Sequence, residues 1–379
     1  MHIKAISTVM IVIFLSSCVS LSSYGYKESN ELWYPAKDEV TGKFGYISSS
    51  GEWKIPPEYD DVGAKTNYSG HDMTLLPIWK DRKVGYVDSD NNMIIEPQYA
   101  SGTYFYDGLS KVTWGDDAEL NYIDESNNLL VTANAKIKGD FSENLVLATD
   151  ESGLYGYIST NGEWVIEPKF RIEVLYNQYY MFKDSYATMI HQGKFGYIDR
   201  TGKWKIEPLY DDAKSFANNY AAVKIDGKWG YINKDGSLAL SAIYDNIQSF
   251  SNGFGAVCYE CKWFIVNSNM EIICDGYDQV KPFSDGLAAV RNNRKWGFID
   301  TEGNIAIDFS TEYSDDTGRF SFDDTMLIFN DGLAIACSNL KNADGYAGNY
   351  YGYINKSGEW EIAPIYTFPR PFIGNLAFV

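Results

Sequence analysis

The chain has 379 residues, 45% hydrophobic and 16% aromatic, enough apolar material to bury a large core. Its formal net charge is -19, from 51 acidic against 32 basic residues, and a field of that sign repels phosphate backbones. Nucleic acid is therefore excluded as the expected partner.

The N-terminus, MHIKAISTVMIVIFLSS, carries Lys4, an apolar run from Val9 to Leu15 and small residues before Cys18. The run is too short to span a bilayer comfortably and has the layout of a secretory signal peptide. Leu15-Ser16-Ser17-Cys18 also resembles the lipobox of bacterial lipoproteins. That resemblance implies cleavage before Cys18 and a lipid-modified cysteine, whose several acyl chains would hold the protein stably on a membrane. An ordinary signal peptide is the alternative. The expected organisation is a signal peptide at 1–17, a lipid-anchored tether at 18–31 and a folded array at 32–379. The expected location is the bacterial cell envelope, at the outer membrane or cell surface, with the membrane reached through the lipid.

From about residue 40 onward one pattern recurs. Marked by the glycine of an aromatic-Gly-Tyr core, it falls at Gly45, Gly85, Gly156, Gly196, Gly230, Gly297 and Gly352, with degenerate copies at Asn121 and Phe264. The nine copies share three parts: a short apolar run after Gly or Asn, the core typified by KWGYIN, and a tail such as KWKIEPLYD. Each part is short, rich in β-branched and aromatic residues and bounded by turn formers, so the pattern predicts three strands per copy and an all-β chain. Side chains alternate along a strand, which puts Trp229 and Tyr231 on one face and Gly230 and Ile232 on the other. The glycine should leave a gap for a neighbouring backbone or ring, and Pro97, Pro168 and Pro208 should stop the tail strand or protect its edge. Asp199-Arg200-Thr201-Gly202 fits a type I turn closed by a left-handed residue. Three short strands cannot bury their own aromatic face, so copies must stack. The expected fold is a tandem array of about nine antiparallel β-meander repeats, open and solenoid-like, with a closed propeller-like ring as the alternative. Phe372–Val379 matches the first strand of a tenth copy.

The motif K-W/F-G-Y/F-I-D/N-x-x-G with an I-x-P-x-Y/F tail resembles the bacterial WG-repeat (KWG-repeat) proteins. The candidate repeat-core residues are Phe44, Gly45, Tyr46, Gly85, Tyr86, Gly156, Tyr157, Phe195, Gly196, Tyr197, Trp229, Gly230, Tyr231, Trp296, Gly297, Phe298, Gly352 and Tyr353. Departures are Asn121 and Phe264 for glycine, Val84 and Tyr155 for the leading ring, and an insertion near 311–348. The resemblance implies an exported or surface protein, its array mediating binding, with no general enzymatic activity.

The sequence carries no HExxH, GxSxG, Walker A or helix-opening GxGxxG motif, so no catalytic residue, cofactor or metal is expected. Asp88-Ser-Asp90-Asn-Asn92 begins like a calcium loop but lacks its glycine and its twelfth-position Glu. Asp315, Asp316, Asp323 and Asp324 read as a solvated acidic loop. Cys258, Cys261, Cys274 and Cys337 are candidates for a disulfide or for small apolar residues; a zinc site lacks ligands, since His71 and His191 are remote. The expected function is a non-enzymatic envelope lipoprotein whose array binds an unidentified protein. A glycan is the alternative partner, and a glycan-acting enzyme a weaker one. Specificity is expected in the unequal loops at 61–80, 171–192 and 311–348.

Overall fold

The computed structural model describes residues 26–366 except 29–30, 39, 49–50, 64–73, 107, 116–120, 131–134, 173–179, 310–326 and 342–346. Among these residues there is no helix, and the strands form nine small antiparallel sheets, one for each copy of the repeat. Two compact units divide between Val131 and Thr132, three sheets in the first and six in the second. The signal peptide, Cys18, His71, the four-aspartate cluster and Phe372–Val379 lie outside the described residues.

The sheet built on Trp229 shows the plan. A two-residue lead strand, Asp212–Ala213, pairs with an inner strand, Ala221–Ile225, then come the motif strand, Lys228–Ile232, and the tail, Leu238–Tyr244, in chain order. Five sheets have four strands and four have three, where the sequence pattern predicts three throughout. The extra strand is the lead, too short to show a period. In the first sheet Tyr26–Glu28 pairs with Glu31–Lys37, so the sheet reaches back into the segment read as tether.

Turn chemistry fixes this order. Inner and motif strands join through two residues that both take positive φ, Asp226 (49°) with Gly227 (81°) and Asn293 (50°) with Arg294 (67°), the two-residue hairpin that matches strand twist. A second such pair, Asn252-Gly253 or Asp285-Gly286, precedes the inner strand. Motif and tail join through the Asp-x-x-Gly turn, where the Gly202 N–H donates to the Asp199 carbonyl at 2.9 Å.

The tail is bulged. Trp229 pairs with Tyr244 and Tyr231 with Leu240, so two steps along the motif strand match four along the tail; the sheets of Phe44, Phe195 and Tyr351 repeat this. The bulge holds the proline, which corrects the expected strand stop. Tails run on past Pro97, Pro168 and Pro208 to Tyr99, Phe170 and Tyr210, because a bulged residue has no ladder donor to lose. It also explains the motif glycine. A Cβ on Gly230 would lie 2.6 Å from the Leu240 carbonyl oxygen, and one on Gly196 2.6 Å from that of Ile206. The expected gap is filled by the sheet's own tail.

Seven apolar clusters among the described residues form the core, each built chiefly from two consecutive sheets. Tyr231 and Tyr244 pack forward on Ile247, Phe250 and Val257, while Ile232 and Val223 pack backward on Tyr197 and Ile206. Both faces of an internal sheet are thus buried, and each fully buried large side chain contributes roughly 1.5–3 kcal/mol.

Candidate functional site

The repeat-core residues that the sequence singles out are packed between sheets. Tyr46, Tyr86, Tyr157, Tyr197, Tyr231, Tyr353 and Phe298 are at most 1% exposed; Trp229 and Trp296 are buried, and Phe44 and Phe195 half-buried. The motif glycines Gly45, Gly85, Gly156, Gly297 and Gly352 face their tail backbones as Gly230 does.

Five motif tyrosines cross to the sheet that follows them. The hydroxyl of Tyr157 donates to the Tyr180 carbonyl at 2.7 Å, that of Tyr197 to Lys214 at 2.7 Å and that of Tyr231 to Gln248 at 2.5 Å. In the first unit Tyr46 reaches Pro77 and Tyr86 reaches Thr103. A phenylalanine of the next sheet meets the ring edge-on: Tyr86 with Phe105, Tyr157 with Phe182, Tyr197 with Phe216 and Tyr231 with Phe250, at centroid separations of 5.0, 4.9, 4.7 and 4.8 Å. Phe298 and Phe329 repeat the pairing without the hydroxyl. Burial raises the pKa of Tyr157, Tyr197 and Tyr231 far above the ordinary phenol value, so the hydroxyls stay neutral donors.

The phenylalanine partners are what sequence reasoning missed. Each stands three residues before the second residue of a positive-φ turn, as in Phe182-Lys-Asp-Ser185, Phe250-Ser-Asn-Gly253 and Phe329-Asn-Asp-Gly332. That spacing was a readable signal.

A second periodic contact runs over the surface. The motif lysine pairs with the aspartate that follows the tail: Lys43 with Asp60, Lys194 with Asp211 and Lys228 with Asp245, each at 2.5 Å, and Lys262 with Asp278 at 2.6 Å. The other carboxylate oxygen accepts a backbone N–H from the next sheet's hairpin turn, that of Asp81 for Asp60 and of Asn293 for Asp278, both at 2.8 Å. The lysine hydrogen bond, then the backbone one, hold the carboxyls of Asp245 and Asp278 below the usual range.

The disulfide expectation is corrected: none forms among Cys258, Cys261, Cys274 and Cys337. Cys258 is buried at a strand end, whereas Cys261 is exposed at a left-handed turn position, φ 63°. Among the described residues no group of three His, Cys, Asp or Glu side chains could hold a metal ion. Asp88 caps its own turn, its Oδ1 accepting from the N–H groups of Asp90 and Asn92 at 2.9 and 2.8 Å.

What remains for a partner is the surface where copies differ. One exposed tail register carries Glu58, Gln98, Lys169, Leu209, Ile243 and Ile365 in different sheets. Leu209 is 71% and Ile243 51% exposed, on consecutive sheets.

The family model of the WG-containing repeat matches residues 44–64, 85–113, 155–194, 195–229, 229–263, 263–296, 296–315 and 351–379, well over half the chain. The chain belongs to the WG-repeat family. The matches omit the copy at Asn121, which nonetheless forms the third sheet of this WG-repeat protein, with Leu109–Thr113 paired to Asn121–Asp124. Among curated proteins none matches. Solved structures similar to the WG-repeat chain include a eukaryotic initiation factor, at 9% identity, 93% of this chain, 98% of that chain and a TM-score of 0.49. BamB from Moraxella catarrhalis matches at 12% identity, 86% and 95% coverage and 0.32, and the WD40 β-propeller domain of Doa1 at 12%, 77% and 97%, and 0.27.

Proposed function

We propose that this WG-repeat chain is a non-enzymatic protein-binding scaffold, held at the cell envelope by lipid on Cys18. The observation that carries the binding role is the division of labour among side chains. The repeated rings are occupied by contacts between sheets, while the exposed tail register changes from charged to aliphatic and sets Leu209 and Ile243 on consecutive sheets. Repeated sheets with a varied surface suit recognition of a partner chain. Envelope location rests on the leader and the Leu15–Cys18 stretch alone.

The test is a pull-down from envelope extracts with the immobilised chain, beside its Leu209→Ser/Ile243→Ser variant. One protein recovered in saturable amount and lost with the variant is the expected outcome; no specific partner contradicts the role. Palmitate incorporation abolished by Cys18→Ser checks the anchor. A glycan reading has its own support in Trp114, 48% exposed beside Tyr99, and requires glycan-array binding that Trp114→Ala removes.

A further inference from the structure

A strand at the edge of a sheet offers unpaired backbone groups to any extended chain, and proline or charge on that edge blocks the pairing. Among the described residues six tails are seven residues long, and each is the last strand of its sheet, with the motif strand as its one neighbour. Five of the six carry a proline at the fifth position, Pro57, Pro97, Pro168, Pro208 and Pro364, and each of these five also bears at least one Lys or Glu.

The tail Leu238–Tyr244 has neither device. Its sequence, LALSAIY, puts Ala242 where the others have proline, so the backbone N–H that proline lacks is present. It bears no charge: Ser241 stands where Glu167 and Glu207 stand in their tails, and Ile243 where Lys169 does. Leu238 and Ile243 are each 51% exposed, and Ser241 is exposed as well. The ladder to the motif strand engages Leu238, Leu240 and Tyr244, which leaves the backbone of Ala239, Ser241, Ala242 and Ile243 off it. Among the described residues no further hydrogen bond reaches residues 238–243.

We propose that this edge takes up an extended apolar segment of the protein partner, flanked by Lys or Arg, as an added strand. Backbone hydrogen bonds would hold the segment, and its apolar side chains would pack on Leu238 and Ile243. The proposal rests on the scaffold reading and names its mode of contact. A second copy of this chain does not suit the edge. Two seven-residue edges share a ribbon about 23 Å long and about 5 Å wide, far short of the roughly 800 Å² per partner of a stable interface, and two chains of formal charge -19 repel. A single segment needs no second rigid surface, and its basic flanks are drawn to a chain of that charge.

The test is fluorescence anisotropy of the full chain with fluorescein-labelled Lys-Val-Thr-Val-Thr-Val-Lys, beside the same peptide N-methylated on every internal residue. Saturable binding of the unmethylated peptide is expected, with hydrogen exchange slowed in Leu238–Tyr244 and unchanged in Trp204–Tyr210. Methylation should weaken binding at least tenfold, and so should Ala242→Pro, which supplies the proline that five other tails hold without losing their strand. Ser241→Glu/Ile243→Lys, which supplies the charges of Glu167 and Lys169, should weaken it severalfold. Ile94→Ser, on the tail that holds Pro97, should keep all of it. No binding, equal binding by the methylated peptide, equal binding by the two edge variants, or a dimer of the chain that Ala242→Pro dissociates overturns the proposal. If Ala242→Pro still recovers the same partner from extracts as the parent chain, the edge is wrong and the scaffold reading survives; if the parent chain recovers none, the scaffold reading fails.

Discussion

A methyl group on Gly230 would press on the Leu240 carbonyl and, at 2.8 Å, on the Ala242 nitrogen, whereas Gly236 meets only side-chain carbons of Ile206, the nearest at 3.3 Å, and holds φ at 85°. One glycine is required by close approach, the other by backbone conformation. Equivalent turn positions are filled by Asn91 (64°) and Asn127 (63°), because Asn tolerates the left-handed region. Gly236→Asn should therefore change stability by less than about 1 kcal/mol. Gly230→Ala should cost about 1–3 kcal/mol or more, as overpacking against backbone does. Urea unfolding of the two variants checks the contrast. The sequence shows a recurring Gly-Tyr pair, but it cannot show the reason for the glycine. The tail bulge that crowds it arises beyond a turn, and where that bulge holds Pro97, Pro168 or Pro208 the sequence pattern predicts a strand stop or a protected edge instead.

At the scale of the element, most motif–tail turns close on an acidic or amide side chain, and those at Ser48 and Ser159 on a hydroxyl. The Asp199 carboxyl is held below its ordinary value of 3.8 by the Thr201 hydroxyl and backbone, and that of Asp300 by the Asn304 N–H and amide. Carboxyls that titrate lower when folded contribute stability in full above the unfolded value, and that contribution is lost as pH falls through the folded value. Denaturant midpoints should stay level from about pH 7 to 5 and drop below about 4, less steeply in Asp199→Asn, where the amide still caps the turn without titrating. Strand existence was legible because the β-branched runs and turn residues agree copy by copy. The lead strand was not: Asp212–Ala213 and Gln279–Val280 are two residues long and carry no period. The phenylalanine partners were overlooked for a different reason. Phe216 and Phe250 stand in segments that look like links until their distance from the following turn is compared.

For the molecule as a whole, the core belongs to pairs of neighbouring sheets. Tyr231 belongs to one sheet by its backbone and to the next by its hydroxyl and ring, so stability within each unit should depend on coupling between neighbours. The nine-copy register and the all-β class were readable from the chain; which side chains serve a partner was not, because exposed positions such as Leu209 and Ile243 differ from copy to copy and carry no pattern. The central claim is that the repeated rings are joints between sheets and not binding sites. Native-state hydrogen exchange on the full chain with Tyr231→Ala tests it most directly. The expected result is a loss of about 3–5 kcal/mol of protection in both the Asp212–Tyr244 and Asn246–Val266 sheets, as for a buried ring removed from a core. Unchanged protection in the Asn246–Val266 sheet would contradict it.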